Sequence, residues 1–260
     1  MTLNALILAG GVPQPGESLY EFSQGRSKAL IDVAGKPMVQ WVLDALSGAK
    51  SIGRAVIVGL DEDSGLRYEK ALSYLPNQGG MLDNIRAGAG KIAELNSKAE
   101  YALIVSSDIP TISAEMVDWI CAQVRPGQDD ALYHVIERSV MDRRFPNSKR
   151  TFTKLKGMQV CGGDMNPASV ALILSHTGPW EKIAAARKSV IKQASLVGFD
   201  TLLLFLLRAM TLEQAAARVS KRLGLRARGV VCPYAEVGMD VDKVHHLEIV
   251  QRELSGKVKA

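Results

Sequence analysis

The stretch that decides the fold is residues 3–9, LNALILA, followed directly by Gly10 and Gly11. A continuous apolar run of this length that stops at glycine is typical of a strand buried on both faces of a sheet. We therefore predict that this run forms the first, central strand. The two glycines then lie where the strand ends.

Strand and helix signals alternate after this first strand. Further apolar runs at residues 54–60, 71–75 and 101–107 predict strands, while helical spacing of apolar side chains predicts helices over residues 38–48 and 81–95 and a third after Ser113. Ser113 is a favourable N-cap residue. Such alternation indicates an α/β fold with a mostly parallel sheet covered on both faces.

The second half of the chain is less regular. Residues 131–136 and 229–232 predict strands, residues 141–156 are basic, and residues 166–176, 179–194, 211–224 and 244–254 predict helices. Thr211 and Gln214 have the spacing of a capping box. We see no repeat or low-complexity linker, so we predict one domain over residues 1–260 with a helical lobe at residues 177–226, before the last strand and helix.

Composition places the chain among ordinary globular proteins. It has 260 residues, of which 47% are hydrophobic and 23% charged. The net charge of +5 favours an anionic partner but does not choose among nucleotides, nucleic acid and lipid head groups. Three cysteines without metal-ligand spacing indicate neither a zinc site nor a disulfide framework and favour a reducing cytoplasm.

Membrane and secretion signals are not predicted. The N-terminus has no basic leader or cleavage site, and the longest apolar stretch, residues 196–210, contains Asp200 and Arg208 and is too short to span a bilayer. The segment at residues 180–223 alternates basic and apolar residues. Burial in the core, pairing of two subunits and contact with anionic lipid all agree with this pattern.

Candidate functional residues follow the predicted strands. Gly10 and Gly11 suit either a simple turn or a phosphate-binding loop, but neither GxGxxG nor a P-loop motif occurs. Asp108 comes directly after a strand and suits either a turn cap or a site at the same sheet edge. Asp240 and Asp242 suit a solvated turn, but with Asp108 they also suit one Mg²⁺ ion.

The remaining titratable residues give weaker signals. Lys28 and Lys36 are typical surface charges, although one of them could meet a triphosphate. The four histidines have no ligand spacing, and His245 and His246 are predicted to lie on the surface at a helix start. The motifs of serine hydrolases and zinc peptidases do not occur.

Four motifs occur in an order that resembles a known superfamily. They are LILAGG at residues 6–11, GRSKALIDVAGKPMVQWVLDAL at 25–46, SSDIP at 106–110 and MDVDKVHHL at 239–247. This order resembles the nucleotidyltransferases of the GT-A type, which include sugar-phosphate nucleotidylyltransferases, methylerythritol-phosphate cytidylyltransferases and molybdenum-cofactor guanylyl- and cytidylyltransferases. The resemblance runs through essentially the whole chain and does not select a subfamily.

The resemblance implies a Rossmann-like three-layer α/β/α fold and a role for each matching residue. It implies nucleotide contacts at Ala9, Gly10, Gly11, Gln78, Gly79 and Gly80. Lys28 matches a lysine that touches the phosphates, and Asp108 and Asp242 match the ligands of Mg²⁺. Gly163 and Asp164 fall in a segment near the acceptor, where Asp164 replaces the family's asparagine.

One departure concerns the arginine that usually follows the first glycines. Here Val12-Pro13-Gln14-Pro15-Gly16 intervenes, and the first arginine is Arg26. Either Arg26 or another basic residue compensates, or the activity is altered or lost. The resemblance otherwise implies transfer from an NTP to a phosphorylated small molecule with release of pyrophosphate, without a nucleic-acid partner. The alternatives are a GT-A glycosyltransferase that uses a nucleotide sugar and a non-catalytic nucleotide-binding protein.

Overall fold

A computed structural model describes residues 1–175 and 209–258 of the chain. Its strands are β1 (Leu3–Leu8), β2 (Asp32–Val33), β3 (Lys36–Pro37), β4 (Ile52–Val58), β5 (Leu72–Leu75), β6 (Tyr101–Ser106), β7 (Ala131–Glu137), β8 (Thr153–Leu155), β9 (Met158–Gly162), β10 (Met165–Ser169) and β11 (Ala227–Cys232). Its α-helices are α1 (Tyr20–Ser23), α2 (Met38–Gly48), α3 (Met81–Leu95), α4 (Ala114–Ala122), α5 (Arg138–Arg144), α6 (Val170–Leu174), α7 (Leu212–Leu223) and α8 (Val244–Val258).

One mixed sheet organises these elements. Its strand order is β5-β4-β1-β6-β10-β7-β9-β8, and β11 pairs with β7. Strands β5, β4, β1 and β6 are parallel, β10 is antiparallel to β6 and β7, and β11 is parallel to β7. The predicted central position of β1 is confirmed, because it pairs with β4 on one side and β6 on the other.

Alternate side chains of β1 enter two different cores. Leu3, Ala5 and Ile7 pack in a core that includes residues of α2, α4 and α8. Leu6 packs on the opposite face with residues of α3 and α6. Strand side chains alternate between the faces of a sheet, so a strand that is apolar throughout needs a helical layer on each side. The Rossmann-like three-layer prediction is thereby confirmed.

Helix α3 packs directly on β1. A Cβ atom at Gly88 would be 2.0 Å from Leu6 Cδ1, so any side chain there would force Leu6 to move. Leu82, Ile85, Ala89 and Ile92 bury the same helix face. This packing fixes the N-terminus of α3 beside the end of β1, where the candidate site lies.

Two local predictions agree with the structure and one is wrong. The Ser113 N-cap and the Thr211–Gln214 capping box are both present. Residues 166–176 were predicted to be helical, but Met165–Ser169 is a strand and only Val170–Leu174 is helical. Antiparallel pairing with β6 explains the difference, because tertiary contacts override the local helical pattern.

Part of the predicted lobe lies outside the described residues. The helix predicted at residues 179–194 and the apolar run at 202–207 fall there, and the lobe at residues 177–226 stays a prediction. In residues 1–175 and 209–258, no helix is both long and apolar enough to cross a membrane.

Candidate active site

A cavity of about 370 Å³ lies at the carboxyl ends of the parallel strands β1 and β6. Open α/β sheets commonly bind ligands at this edge. The lining residues are Leu8, Gly10, Gly11, Lys28, Asn77, Gly79, Gly80, Met81, Asn84, Ser106, Ser107 and Asp108. Six of the predicted site residues are among them. Ala9 and Gln78 adjoin the cavity through their chain neighbours.

The turn at the end of β1 is formed by close backbone packing. A Cβ at Gly59, at the end of β4, would lie 2.3 Å from Gly10 Cα, and Gly59 has φ of +104°. Both features require glycine at this position. The carbonyl of Ala9 accepts a hydrogen bond from Ser27 Oγ at 2.6 Å. The turn is thus fixed by its neighbours and leads directly into the cavity.

Lys28 connects the glycine turn to two carboxylates. Its backbone N–H donates to Gly11 O at 2.8 Å. Its ammonium group contacts Asp108 and also lies 2.9 Å from Asp242 Oδ1. Burial alone would lower the pKa of Lys28, but the two carboxylates outweigh burial and raise the pKa. Lys28, Asp108 and Asp242, which the resemblance implies as site residues, therefore form one cluster.

The two acidic segments are also joined through the backbone. Val241 N donates to Asp108 O at 2.9 Å, which holds the Asp240–Asp242 turn against the end of β6. Ser106 Oγ donates to Asp108 Oδ1 at 2.5 Å. Asp108 is buried, whereas the side chain of Asp242 is 55% exposed. Asp108 thus lies in the cavity wall, whereas Asp242 is not among the described residues that line the cavity and is joined to it through Lys28.

Asp240 has a different environment from Asp242. It is buried and forms an ion pair with Arg150, which the sequence did not single out. Burial, together with the nearby charges of Asp240 and Asp108, raises the pKa of Asp164. The pKa of Asp242 is lowered by its hydrogen bond to Asp240 and by the Lys28 charge. Asp240 therefore lies between the exposed carboxylate of Asp242 and the mostly buried side chain of Arg150.

Gly163 and Asp164 lie near these carboxylates. Gly163 N donates to His134 O at 2.8 Å, and Asp164 N donates to Val237 O at 2.8 Å. Ser106 N donates to Asp164 O at 2.9 Å, which brings this segment beside the end of β6. Their role in acceptor binding stays a prediction.

The prediction that His246 lies on the surface is wrong. Its side chain is buried, and its Nε2 lies 2.9 Å from Ser148 O. Asp242 N donates to His246 Nδ1 at 3.3 Å, so the ring joins two loops. His245 is partly buried and its Nε2 also lies 3.2 Å from Ser148 O. The sequence could not show this, because Ser148 is 98 residues away.

Arg26 and Lys36 lie apart from the cluster. The Arg26 side chain is exposed, and Arg26 is not among the described residues that line the cavity. Lys36 Nζ forms an ion pair with Asp44 at 2.7 Å and lies over the Trp41 ring. Of the two lysines considered, the structure brings Lys28 to the site.

The polar residues that the sequence analysis did not single out are mostly neutral. Asn77, Asn84, Ser106 and Ser107 line the cavity. Ser106 and Ser107 lie inside a quoted motif, and Asn77 and Asn84 are close in sequence to the predicted contacts at Gln78–Gly80. Side chains of this type are also common in turns and caps. Only their position at the sheet edge distinguishes them.

The carboxylates beside the cavity are candidate ligands for a metal ion. Among the described residues, no group of three His, Cys, Asp or Glu side chains is arranged to hold one. Asp108 and Asp242 nevertheless both contact a single positive charge, the Lys28 ammonium. Mg²⁺ is usually bound by one or two carboxylates together with waters and substrate phosphates. Two converging carboxylates beside a ligand-sized cavity fit that requirement.

A mostly parallel sheet that is covered by helices on both faces, with glycine turns and carboxylates at one edge, is a Rossmann-like architecture with a candidate ligand site. The MobA-like NTP transferase domain family has a model that matches residues 5–228 of this chain. The chain therefore belongs to that family. The family-level prediction made from the four motifs is confirmed.

Relatives within this superfamily include enzymes for different nucleotides. The chain is 27% identical over 111 residues to the molybdenum cofactor guanylyltransferase of Vibrio atlanticus, covering 42% of this chain and 54% of that protein. It is 30% identical over 135 residues to the 3-deoxy-manno-octulosonate cytidylyltransferase of Geobacter sulfurreducens, covering 50% and 52%. The matches thus span about half the length of these relatives.

Solved structures match over nearly the whole chain. A hypothetical transferase from Thermus thermophilus has a TM-score of 0.81 and 33% identity, covering 95% of this chain and 100% of that one. The 4-diphosphocytidyl-2C-methyl-D-erythritol synthase of Anaerococcus prevotii has a TM-score of 0.60 and 14% identity, covering 97% and 96%. The second likeness supports the fold alone.

Proposed function

We propose that this chain is a Mg²⁺-dependent nucleotidyltransferase that uses an NTP and a phosphorylated small-molecule acceptor, a sugar phosphate or a cofactor precursor. The observation that carries the proposal is the contact of one lysine ammonium, that of Lys28, with both Asp108 and Asp242 beside the glycine-lined cavity. Family membership and the guanylyl- and cytidylyltransferase relatives support the same reaction class.

The proposed reaction exchanges one phosphoanhydride bond for another. An oxygen of the acceptor phosphate attacks the α-phosphorus of the NTP, a new P–O bond forms, and the bond to the β-phosphate breaks with its electron pair leaving on pyrophosphate. Little proton transfer is required. Catalysis then depends on aligning the two phosphates and neutralising their charge, which suits a site without a histidine base.

The glycine turn, Lys28 and the two aspartates have different roles in the proposed reaction. The Gly10–Gly11 turn gives the phosphates close access to the backbone. Lys28 exchanges its contacts with Asp108 and Asp242 for contacts with the phosphates. The two aspartates would then hold Mg²⁺, which supplies charge neutralisation at the phosphates when bound.

Arg26 and the segment at Gly163 and Asp164 complete the proposal. Arg26 is the nearest arginine after the first glycines in sequence and is our candidate for the missing triphosphate contact. Gly163 and Asp164 are our candidates for the acceptor side. They lie across the end of β6 from Lys28, next to Asp108 and Asp240.

The experiment measures pyrophosphate release with each of the four NTPs against a panel of sugar phosphates and phosphorylated cofactor precursors. We expect release that needs Mg²⁺, NTP and acceptor together. Asp108→Asn and Asp242→Asn should both abolish it while leaving the circular dichroism spectrum unchanged. Pyrophosphate release that is absent with every pair, or unaffected by both substitutions, would contradict the proposal.

The same panel separates the alternatives. A GT-A glycosyltransferase would consume a nucleotide sugar and release a nucleoside diphosphate or monophosphate without pyrophosphate. A non-catalytic protein would bind NTP and release nothing. We also propose a cytoplasmic location, in line with three cysteines that are all free and buried. Nucleic acid is not a proposed partner, whereas a homodimer and peripheral membrane contact are.

A further inference from the structure

Two asparagines form a bridge between the two glycine loops of the cavity. Asn84 Nδ2 donates to Asn77 Oδ1 at 3.1 Å, and Asn77 Nδ2 donates to Gly10 O at 3.0 Å. We call this pair of contacts the Asn77–Asn84 bridge. It connects the first turn of α3 to the loop before it and then to the end of β1.

The same side chains bind the backbone of the loop itself. Gln78 N donates to Asn84 Oδ1 at 2.7 Å, and Gly79 N donates to Asn77 Oδ1 at 3.0 Å. Asn84 is buried, only 6% exposed, and its own N–H donates to Gly80 O at 2.8 Å. Each asparagine thus makes at least two side-chain hydrogen bonds around one cavity wall.

The two asparagine amides fill the space beside Gly10. A Cβ at Gly10 would lie 2.9 Å from Asn77 Cγ and 3.0 Å from Asn84 Nδ2. The two amides therefore lie directly against Gly10 and leave no room for a side chain there. Gly79 has φ of +85°, a conformation that favours glycine, and its N–H is held by Asn77.

We propose that Asn77 and Asn84 are positioning residues, which hold the Gly10–Gly11 turn and the 77–80 loop in the conformation that lines the nucleotide cavity. This inference rests on the proposed function for the identity of the ligand. The bridge itself rests on the contacts described above. A short polar side chain that bonds backbone groups is well suited to fixing an irregular loop.

The bridge limits which atoms of the 77–80 loop can bind a nucleotide. The N–H groups of Gln78 and Gly79 are already bonded to the two asparagines, so they are not available to a ligand while the bridge persists. We therefore infer that Gln78 and Gly79 contact the nucleotide through atoms other than their backbone N–H groups. The family resemblance implies nucleotide contacts at both residues but does not specify which of their atoms make them.

The first arm of the test is amide hydrogen exchange in the ligand-free protein. Asn84→Ala should speed exchange at Gln78 at least tenfold, and Asn77→Ala should do so at Gly79, because each loses its acceptor. The matched control is Asn4→Ala. Asn4 is also buried and accepts from Arg54 N at 3.3 Å, but it lies at the other end of β1.

The second arm is calorimetric titration of each of the four NTPs with Mg²⁺. For any NTP that the wild type binds, both bridge variants should raise Kd at least tenfold, and Asn4→Ala should change it less than twofold. Asn77 is exposed, so Asn77→Ala keeps the test valid if Asn84→Ala does not fold.

The outcomes are distinct. Unchanged amide exchange in both bridge variants overturns the inference, and so does unchanged Kd in a variant whose exchange has accelerated. If the wild type binds no NTP, the proposed function fails. The exchange arm then still decides whether the bridge holds the loop.

Discussion

Lys28 is held on both its backbone and its side chain, by Gly11, Asp108 and Asp242. Its backbone is thus fixed beside the cavity, and its ammonium group is held at the two carboxylates until the phosphates replace them. Because both carboxylates raise the pKa of Lys28, the group is cationic at neutral pH and can neutralise charge that develops on a phosphate.

We expect Lys28→Ala to lower kcat by about 10²–10³-fold and to raise KM for NTP much less, because the proposed contact strengthens as charge develops. Lys36→Ala is the matched control, since Lys36 is also ion-paired but with Asp44 on α2. Steady-state pyrophosphate assays measure both constants. A rise in KM alone would mean that Lys28 only binds the ground state.

Asp240 is expected to matter for stability more than for chemistry. Its carboxylate pairs with Arg150 where both side chains are mostly buried, at 11% and 15% exposure. Removing Asp240 leaves Arg150 without its ion-pair partner, but it also removes a carboxylate whose pKa is raised to about 6 by burial and by neighbouring carboxylates. Asp240→Ala should therefore lower the free energy of unfolding by about 1–3 kcal/mol. Urea unfolding measures this change. Asp142→Ala, which removes an exposed pair with Arg138, should cost less than about 1 kcal/mol.

At the scale of elements, the glycine turns after β1 and β4 have different tasks. Gly11 has nothing within 4 Å of a Cβ placed on it, whereas a Cβ at Gly59 would collide with Gly10. Gly11→Val should therefore keep the unfolding midpoint and weaken NTP binding, since its side chain would project where the ligand approaches. Calorimetric titration and thermal unfolding of the same variant decide this.

Gly59→Ala is the contrasting variant. Its φ of +104° and the contact with Gly10 should cost at least about 1–3 kcal/mol of stability. If Gly11→Val binds NTP as the wild type does, the turn serves only the fold. If Gly11→Val instead unfolds like Gly59→Ala, the open space beside Gly11 is not used as we propose.

Elements with a strong local pattern could be predicted from the sequence. The apolar run of β1, the periodic face of α3 and the capping box of α7 each contain their own evidence. Strand β10 could not be predicted, because its polar and small residues become strand-like only beside β6. Pairing between distant segments is not encoded in local periodicity.

For the whole molecule, contacts between distant segments also limit what the sequence can predict about the site. Lys28, Asp108 and Asp242 could be predicted as site residues because each of them lies in one of the quoted motifs. Arg150 and Asp240 are 90 residues apart and belong to no common motif. Asn77 and Asn84 are close in sequence to the predicted contacts at Gln78, Gly79 and Gly80, but their hydrogen bonds follow from the packing of α3 against β1. Side-chain networks of this kind depend on the folded topology.

The stability of the whole fold should depend on pH through His134 in the sheet. Burial lowers the pKa of His134 from 6.5 to about 4, although the Met165 carbonyl, 3.0 Å from Nδ1, favours the charged form; the Arg228 charge lowers it further. The unfolded chain therefore binds a proton more readily than the folded one. Stability is complete above pH 6.5 and is lost as pH falls towards 4.

Because each unit of pKa difference corresponds to about 1.4 kcal/mol, protonation of His134 should remove roughly 3 kcal/mol of stability by pH 4. Urea unfolding of the wild type and of His134→Leu between pH 7.5 and 4 measures this loss as the difference between the two slopes. The difference is needed because the raised pKa values of Asp164, about 8, and Asp240, about 6, stabilise the fold as pH falls over the same range. His134→Leu should be less stable at neutral pH, because Met165 O loses its partner, yet should lose less on acidification. His246, whose pKa is also lowered to about 4, adds a slope of the same sign in both proteins. An identical pH slope in wild type and His134→Leu would show that His134 is not the group that titrates.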